Sequence, residues 1–547
     1  MVAWIRRAVT ASGATEVQIA EYVAGRREVV EHVGSAHTEV ELGLLMDQAR
    51  ALLECRGQGQ LDLGCEMQRV PVPLVAGPGR ATLFEVAQSV PAVPAGAPQV
   101  VATGSQVLFD ALASVYTALG FDAVGDQVFR DLVVARVVEP TSLRAVGRVL
   151  ADLGQCPASE KTLRRTLGRC AAGGYRDQVA GLCFDRVVRA GDVSLVLYDV
   201  TTLYFEAEKE DGLRKVGYSK ERRVDPQVLV GLLVDRGGFP LEIGCFPGNH
   251  AETKTVVPIV KQFAARHHLD HMVVVADAGM LSKKNLEELD EAGLCFVVGS
   301  KATKSPIDLA SHFRWHGQAF TDGQVIDTIT PKDSRVREND VNVKAEPVWD
   351  PSVHTGSWRA VWAYSRKRWV RDNKTLNIQE ERARDVVEGT KTAKTTRFVT
   401  TSKGQRKVDT TSLARARRAA GLKGYVTNIA APTMPAPEVV AYHDLWHVEQ
   451  SFRMSKTDLA ARPMFVRTQD AIEAHLTIVF AALAVARQAQ DLTGLAIANL
   501  VHQLRPLRTA TITINGRTQT IPPAINPDQR TILDAMTRTR PTQALSE

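Results

Sequence analysis

The 547-residue sequence predicts an α/β fold, a mixed sheet with helices packed on its faces. Two apolar runs, "SLVLYDV" and "HMVVVAD", have the length and β-branched content of buried strands, and each stops at an aspartate, Asp199 and Asp277. The run "QVLVGLLVD" and the run "FPLEIGCF" flank Arg236-Gly237-Gly238 as a hairpin. Helical period follows over Glu252–His267 and Lys283–Ala292, and then the strand-like "LCFVVGS". Three strands, helix, strand, helix, strand is the order of a layered α/β core. A lone acid after a strand ordinarily caps a turn or a helix. Two in the same arrangement prompt the search for a third.

Length and composition set the frame. The chain is too long for one ordinary core. Its 44% hydrophobic and 23% charged content is that of a globular protein, not a disordered one. The net charge of +6 permits a nucleic-acid partner without demanding one, so the distribution of charge decides. Seven scattered cysteines with no C-x-x-C read as reduced thiols and give no zinc framework. The start, "MVAWIRRAVTASG", lacks the apolar region of a signal peptide, and "IVFAALAVA" stops at Arg487, too short to span a bilayer. The expectation is a cytoplasmic protein with no membrane partner.

Residues 1–104 read as two strands around Gly25-Arg26-Arg27, a helix over Glu39–Leu53, and a Pro/Gly-rich linker over 71–104. Residues 105–190 turn helical. In "SLRAVGRVLADLGQCPASEKTLRRTLGRC", Leu143, Val146, Val149 and Leu150 share a face, a Gly-Gln-Cys-Pro turn intervenes, and Ser159 can cap a second helix carrying Lys161, Arg164, Arg165 and Arg169. A helix-turn-helix DNA reader has this form, with Arg164 and Arg165 as its DNA contacts. A solvated basic face fits the same residues, and the spacing does not choose.

Residues 191–300 carry the first part of the sheet; residues 301–425 break its regularity. "GSWRAVWAYS" alternates, placing Trp358, Ala360, Trp362 and Tyr364 on one strand face, and "RKRWVRDNKTLNIQEERARDVV" reads as a basic helix. Trp358 to Gly424 holds 18 Lys/Arg against 6 Asp/Glu, a surplus of 12 where the whole chain has 6, and five of seven tryptophans lie between 315 and 369. Basic residues interleaved with aromatics suit a nucleic-acid groove better than a merely solvated face. Arg366, Lys367, Arg368 and Arg371 are the candidate contacts.

Residues 426–500 supply the third acid. In "YHDLWHVEQSFRMSKTDLAARP", Tyr442, Glu449 and Lys456 recur every seven residues, each about 20° from the last around a helix. One stripe therefore presents a phenol, a carboxylate and an ammonium. Residues 501–547 form a C-terminal tail.

These stretches carry a resemblance. "YDVTTLYFE", "GYSKERRVDPQVLVGLLVDRGGFPLEIGCFPGNHAETKT", "VVVADAGMLS" and the glutamate block are similar, in this order, to DDE transposases of the IS4-type superfamily, most to the IS1634 family of bacterial insertion sequences. The likeness covers roughly residues 105–500. It implies an RNase H-like core interrupted by a β-containing insertion before the third acid, with an N-terminal helical DNA-binding region. It implies that Asp199, Asp277 and Glu449 are the catalytic and metal-binding acids. The superfamily's Tyr, Arg, Glu, Lys signature falls on Tyr442, Leu445, Glu449 and Lys456. Leucine stands where arginine is expected, and Arg453, one turn past the glutamate, is the candidate to replace its phosphate contact.

The chemistry fits three oxygens. Phosphodiester cleavage with two divalent ions about 4 Å apart needs hard ligands, and Mg²⁺ (or Mn²⁺) prefers carboxylates to His or Cys. Without metal, three clustered carboxylates repel one another. Asp199 is expected to end its strand at such a metal, with Thr201 and Thr202 turning the chain away. Tyr442, Arg453 and Lys456 would contact flanking phosphates. The partner implied is double-stranded DNA, both transposon ends and target, bound by a dimer. Two other readings exist. A haloacid dehalogenase-type phosphatase needs a second acid where Thr201 stands, and a domesticated DNA-binding protein need not keep all three acids.

Overall fold

The computed structural model describes residues 4–9, 15–23, 26–36, 42, 45–46, 48–49, 99–191, 195–206, 209–218, 225–269, 272–277, 282–333, 335, 338–391, 396–402, 405–441, 446–462, 464, 466–515 and 517–537. The chain falls into two units, Met1–Ala92 and Val93–Glu547. In the first, β1 (Trp4–Val9), β2 (Thr15–Val23) and β3 (Arg26–Ala36) form an antiparallel sheet in that order. β2 and β3 are the expected pair, and β1 adds to them. The helix expected over Glu39–Leu53 and the linker up to residue 98 lie almost wholly outside the described residues.

The second unit is built on one eight-stranded mixed sheet. Its strands are β5 (Leu195–Tyr204), β6 (Gln227–Val234), β7 (Pro240–Pro247), β8 (Val273–Ala276), β9 (Cys295–Ser300), β10 (Val325–Pro331), β11 (Ser357–Tyr364) and β14 (Leu422–Thr427). Their order across the sheet is β10-β11-β14-β9-β8-β5-β6-β7. The centre, β9-β8-β5, is parallel because helices Val256–His267 and Lys283–Glu291 make the crossovers; all other pairs are antiparallel. Every residue of β6 is buried, as a strand covered on both faces requires.

Two local expectations need correction. Asp199 does not end β5: pairing with β6 continues through Thr201↔Val230 and Thr202↔Leu229 to Tyr204↔Gln227. β-branched threonines suit a strand whose hairpin partner runs on, so Thr201 and Thr202 prolong it. The end of the expected linker, residues 99–104, is a strand, β4 (Gln99–Gly104), paired with β15 (Thr509–Ile514), which also pairs with β16 (Arg517–Ile521).

Segment 301–425 contributes β10, β11 and β14, which continue the central sheet. β12 (Val399–Ser402) and β13 (Gln405–Val408) pair separately, beside helix Arg366–Glu388. The fully buried Arg359 on β11 ties this edge to the chain beyond β14. Its guanidinium grips Asp327 on β10 at 2.7–3.2 Å and donates to the carbonyls of Ile429 (3.0 Å) and Met434 (2.7 Å), on the path to the Glu449 helix.

The helices over 106–190 pack against helix Gln469–Thr493, which by length and composition could cross a membrane but here is buried from Ile472 to Ala489 along most of its faces. Its buried Arg487 donates to the carbonyl of Gly237 and to Gln450 Oε1.

Candidate active site

β5 and β8 pair in parallel as Leu195↔Val273, Val196↔Val274 and Leu197↔Val275, an offset of 78 residues. The same offset separates Asp199 from Asp277 in sequence, and both follow the paired stretch of their strands, Asp199 within β5 and Asp277 just past β8. Asp199 is half-buried and Asp277 exposed, one residue beyond the end of β8. The Asp199 carboxylate accepts the Val200 backbone N–H at 2.8 Å.

The face is settled by alternation. Tyr198 points to the other side, where its hydroxyl meets Thr255 Oγ1 at 2.8 Å before helix Val256–His267; burial pushes its phenol well up, and the Asp199 charge adds to the shift. Asp199 shares its face with Thr201 and Leu203. Those two line a cavity of about 20 Å³ with Phe452, Ser455 and Lys456 of helix Trp446–Thr457. The helix carrying Glu449 therefore lies on the aspartate face.

Its level along β5 is also fixed. Ser451 Oγ donates to the carbonyl of Gly238, in the β6–β7 turn past Val234, which pairs with Leu197. Beyond the other end of the helix, Met464 N donates to the Tyr204 carbonyl at 3.1 Å and Met464 bridges Phe205 in parallel. Asp199 lies between these two anchors along β5, and Glu449 stands two residues before the first of them on its helix. Val448, Ser451, Phe452 and Ser455 form the buried stripe; Glu449 and Arg453 are exposed and Lys456 half-buried on its flank. Glu449 in the first turn and Lys456 in the last also suit the helix dipole, so their signs alone argue little. Their position argues more.

Lys423 on β14 was not singled out in the sequence, where one lysine in "GLKGYVT" carries no signal. It is half-buried, with Nζ 4.9 Å from the Tyr425 ring. Burial and then the Arg368 charge push its ammonium pKa down, while Asp277 opposes the shift. Lys423 of β14 thus stands within electrostatic reach of Asp277 and of Arg368 on helix Arg366–Glu388. That helix has Arg366, Lys367 and Arg368 in its first turn and no acid there, against its own dipole. Arg366 lies 4.7 Å from the Trp369 ring, and Arg371 is 3.7 Å from Asp372.

In the candidate helix-turn-helix, helices Val146–Asp152 and Glu160–Ala172 form, and Ser159 caps the second through the Thr162 N–H. Arg164 and Arg165 are exposed, Arg164 pairing with Glu160 at 2.6 Å. Arg169 is tied to Asp126 at 2.7 Å. Tyr442 and Leu445 lie outside the described residues.

The acid set offers oxygen alone, open to solvent at Asp277 and Glu449 and backed by the half-buried Asp199, which fits a hard divalent ion. Among the described residues, the group whose donor atoms all lie within 4.8 Å of one another is His312, His316 and Glu346. It is elsewhere, on helix Ala310–Trp315 and the loop before β11, with His312 Nδ1 2.8 Å from Glu346 and its ring stacked on Phe320. Asp199, Asp277 and Glu449 do not form a group this close.

The family described as "Transposase DDE domain" matches residues 191–485, more than half of the chain and all three acids. The chain belongs to that family. The match to the transposase family runs from the lead into β5 through most of the long buried helix. No curated protein matches the chain. Among solved structures, the "piggyBac transposase synaptic complex with hairpin DNA" aligns over 73% of this chain and 70% of its own, at 11% identity and a TM-score of 0.34.

Proposed function

We propose that this member of the family is an insertion-sequence transposase of the IS4-type superfamily, nearest the IS1634 branch, with an RNase H-like core. It binds the element's ends and catalyses metal-dependent strand cleavage and strand transfer. The observation that supports the reading is the parallel pairing of β5 with β8, each followed by its aspartate, with the Glu449 helix anchored across β5.

Asp199, Asp277 and Glu449 hold two Mg²⁺ or Mn²⁺ ions. Bound there, such ions supply Lewis-acid relief of charge on the phosphate and a lowered pKa for the attacking hydroxyl or water. The chain's own cations do the rest. Lys423 and Arg368 draw the phosphate backbone to the aspartate edge, and Arg453 and Lys456 hold it along the Glu449 helix. Trp369, covered by Arg366, gives the groove an aromatic neighbour. Two ends must be cut together, so the working form is a dimer on double-stranded DNA, in the bacterial cytoplasm.

The test is cleavage of a duplex carrying the DNA that flanks the gene. Strand cleavage that requires Mg²⁺ or Mn²⁺ and is lost in Asp199→Ala is the expected result. Binding of that duplex with no cleavage under any divalent ion would mark a DNA-binding protein without catalysis.

A further inference from the structure

A cavity of about 600 Å³ lies between the helical region and the segment that follows the Glu449 helix. Five arginines line it: Arg136, Arg144, Arg164, Arg462 and Arg467. The lining carboxylate is Glu139, already engaged by Arg148 and by Arg505 at 2.6 Å. Arg164 is balanced by Glu160. Arg136, Arg144 and Arg467 form no ion pair with any described residue.

Arg136 is the most telling of these. Its neighbours on helix Gln127–Val138, Ala135 and Val137, are buried, and burial alone pushes its guanidinium down to about 10, with no acid opposing the shift. Arg136 is part-exposed at the cavity wall, so its guanidinium is open to an anion in the cavity and has no carboxylate partner there. The cavity wall also includes Thr468 and Ala471, at the start of the 25-residue helix Gln469–Thr493, whose positive end adds to the field.

The cavity also neighbours the strand that carries Asp199. Ala460 lines it, while the next residue, Ala461, lines the small cavity with Thr201 and Lys456. Arg462 holds its guanidinium 5.5 Å from the ring of Tyr204, on the strand of Asp199. Ala460 adopts φ +41°, turning the chain sharply between the two.

We propose that this arginine cavity is a second phosphate site, which takes backbone phosphates of the DNA whose strand is cut at the acid edge. The assignment rests on the chain acting on DNA as a transposase. Free phosphate shares the chemistry, and the test separates the two.

The full-length protein is compared with Arg136→Met and with Arg144→Ala/Arg467→Ala. The probes are a duplex of the gene's flanking DNA, an unrelated duplex of equal length, and inorganic phosphate. Each lost phosphate contact lowers the slope of log affinity against log salt by about 0.9, so the double variant should lose about two and Arg136→Met about one. Arg136→Met should bind DNA more weakly while its Tm does not fall, which an arginine kept for packing would not do. A steep wild-type slope that both variants keep would overturn the cavity assignment and leave the transposase reading standing. A wild type that binds neither duplex would overturn both. A Tm raised by inorganic phosphate as much as by duplex, in wild type and not in Arg136→Met, would give the site to free phosphate and overturn the DNA assignment.

Discussion

The Ser451 hydroxyl donates to the carbonyl of Gly238 at 2.7 Å, latching the helix of Glu449 to a hairpin turn 213 residues earlier. Gly238 sits at φ +86°, and a Cβ there would approach the His447 carbonyl at 3.1 Å and collide with the Arg487 guanidinium. Gly238→Ala should therefore destabilise the protein by about 1–3 kcal/mol in urea unfolding. Strand cleavage should fall further than duplex binding, because the helix it shifts carries an acid. Equal losses in both would show that the latch does not position Glu449.

Asp199→Ala, Asp277→Ala and Glu449→Ala should each reduce metal-dependent cleavage by at least about 100-fold, roughly 2.7 kcal/mol in the barrier. Duplex affinity at fixed salt should change little. Mn²⁺ should raise the wild-type Tm and leave that of each variant nearly unmoved, since an ion bound only by the native state adds stability. A variant that keeps both its Mn²⁺ shift and its cleavage removes that acid from the site.

Neutralising Arg366, Lys367, Arg368 and Arg371 should weaken duplex binding and lower its salt slope by up to about three to four, one contact at a time. Stability should not fall, because three of the four oppose their own helix dipole. Arg453→Ala, on an exposed position beside Glu449, should impair cleavage about tenfold with Tm unchanged. An unchanged salt slope in the fourfold variant would reduce the run to a solvated face.

Asp308 should make stability fall as pH rises. It is buried and accepts the Trp362 indole N–H at 3.1 Å. Burial raises its pKa to about 7, with Thr330 and Trp362 opposing. Between about pH 4 and 7 the native state then holds a proton that the unfolded chain has released, so stability declines by up to about 1.4 kcal/mol per pH unit and levels off above. Glu242, raised to about 7 by burial against the pull of Arg266, acts in the same direction over the same window. Asp308→Asn should flatten part of the decline and raise Tm at pH 8, as thermal melts across pH 5–8 would show. A Tm at pH 8 below that of wild type would contradict it.

Much of the sheet was legible because each strand carries its own local signal. β6, β8, β9 and β11 are apolar runs of strand length bounded by turn residues, and their spans agree with the sequence reading within a residue or two. The placing of β5 beside β8 is different in kind. It depends on the crossover hand and on which strands become neighbours, and no residue type announces it. The continuation of β5 past Asp199 was missed because threonine suits a turn and a strand equally, and only the partner β6 decides between them. Lys423, Arg136 and Arg462 were missed for a third reason. Each is an unremarkable base in its local sequence, and its meaning comes from neighbours far along the chain.

The placing of β14 beside β9 has a consequence for the order in which the protein comes into being. Two of the three acids are present once residue 277 has been made, but the third is held in place only after β10, β11 and β14 have joined the sheet and Met464 has bonded to Tyr204. A chain still leaving the ribosome, or one truncated before residue 446, has the aspartate pair and no glutamate. On the proposed reading, the capacity to cut DNA arrives late in synthesis, and copies that stop before the glutamate helix lack it.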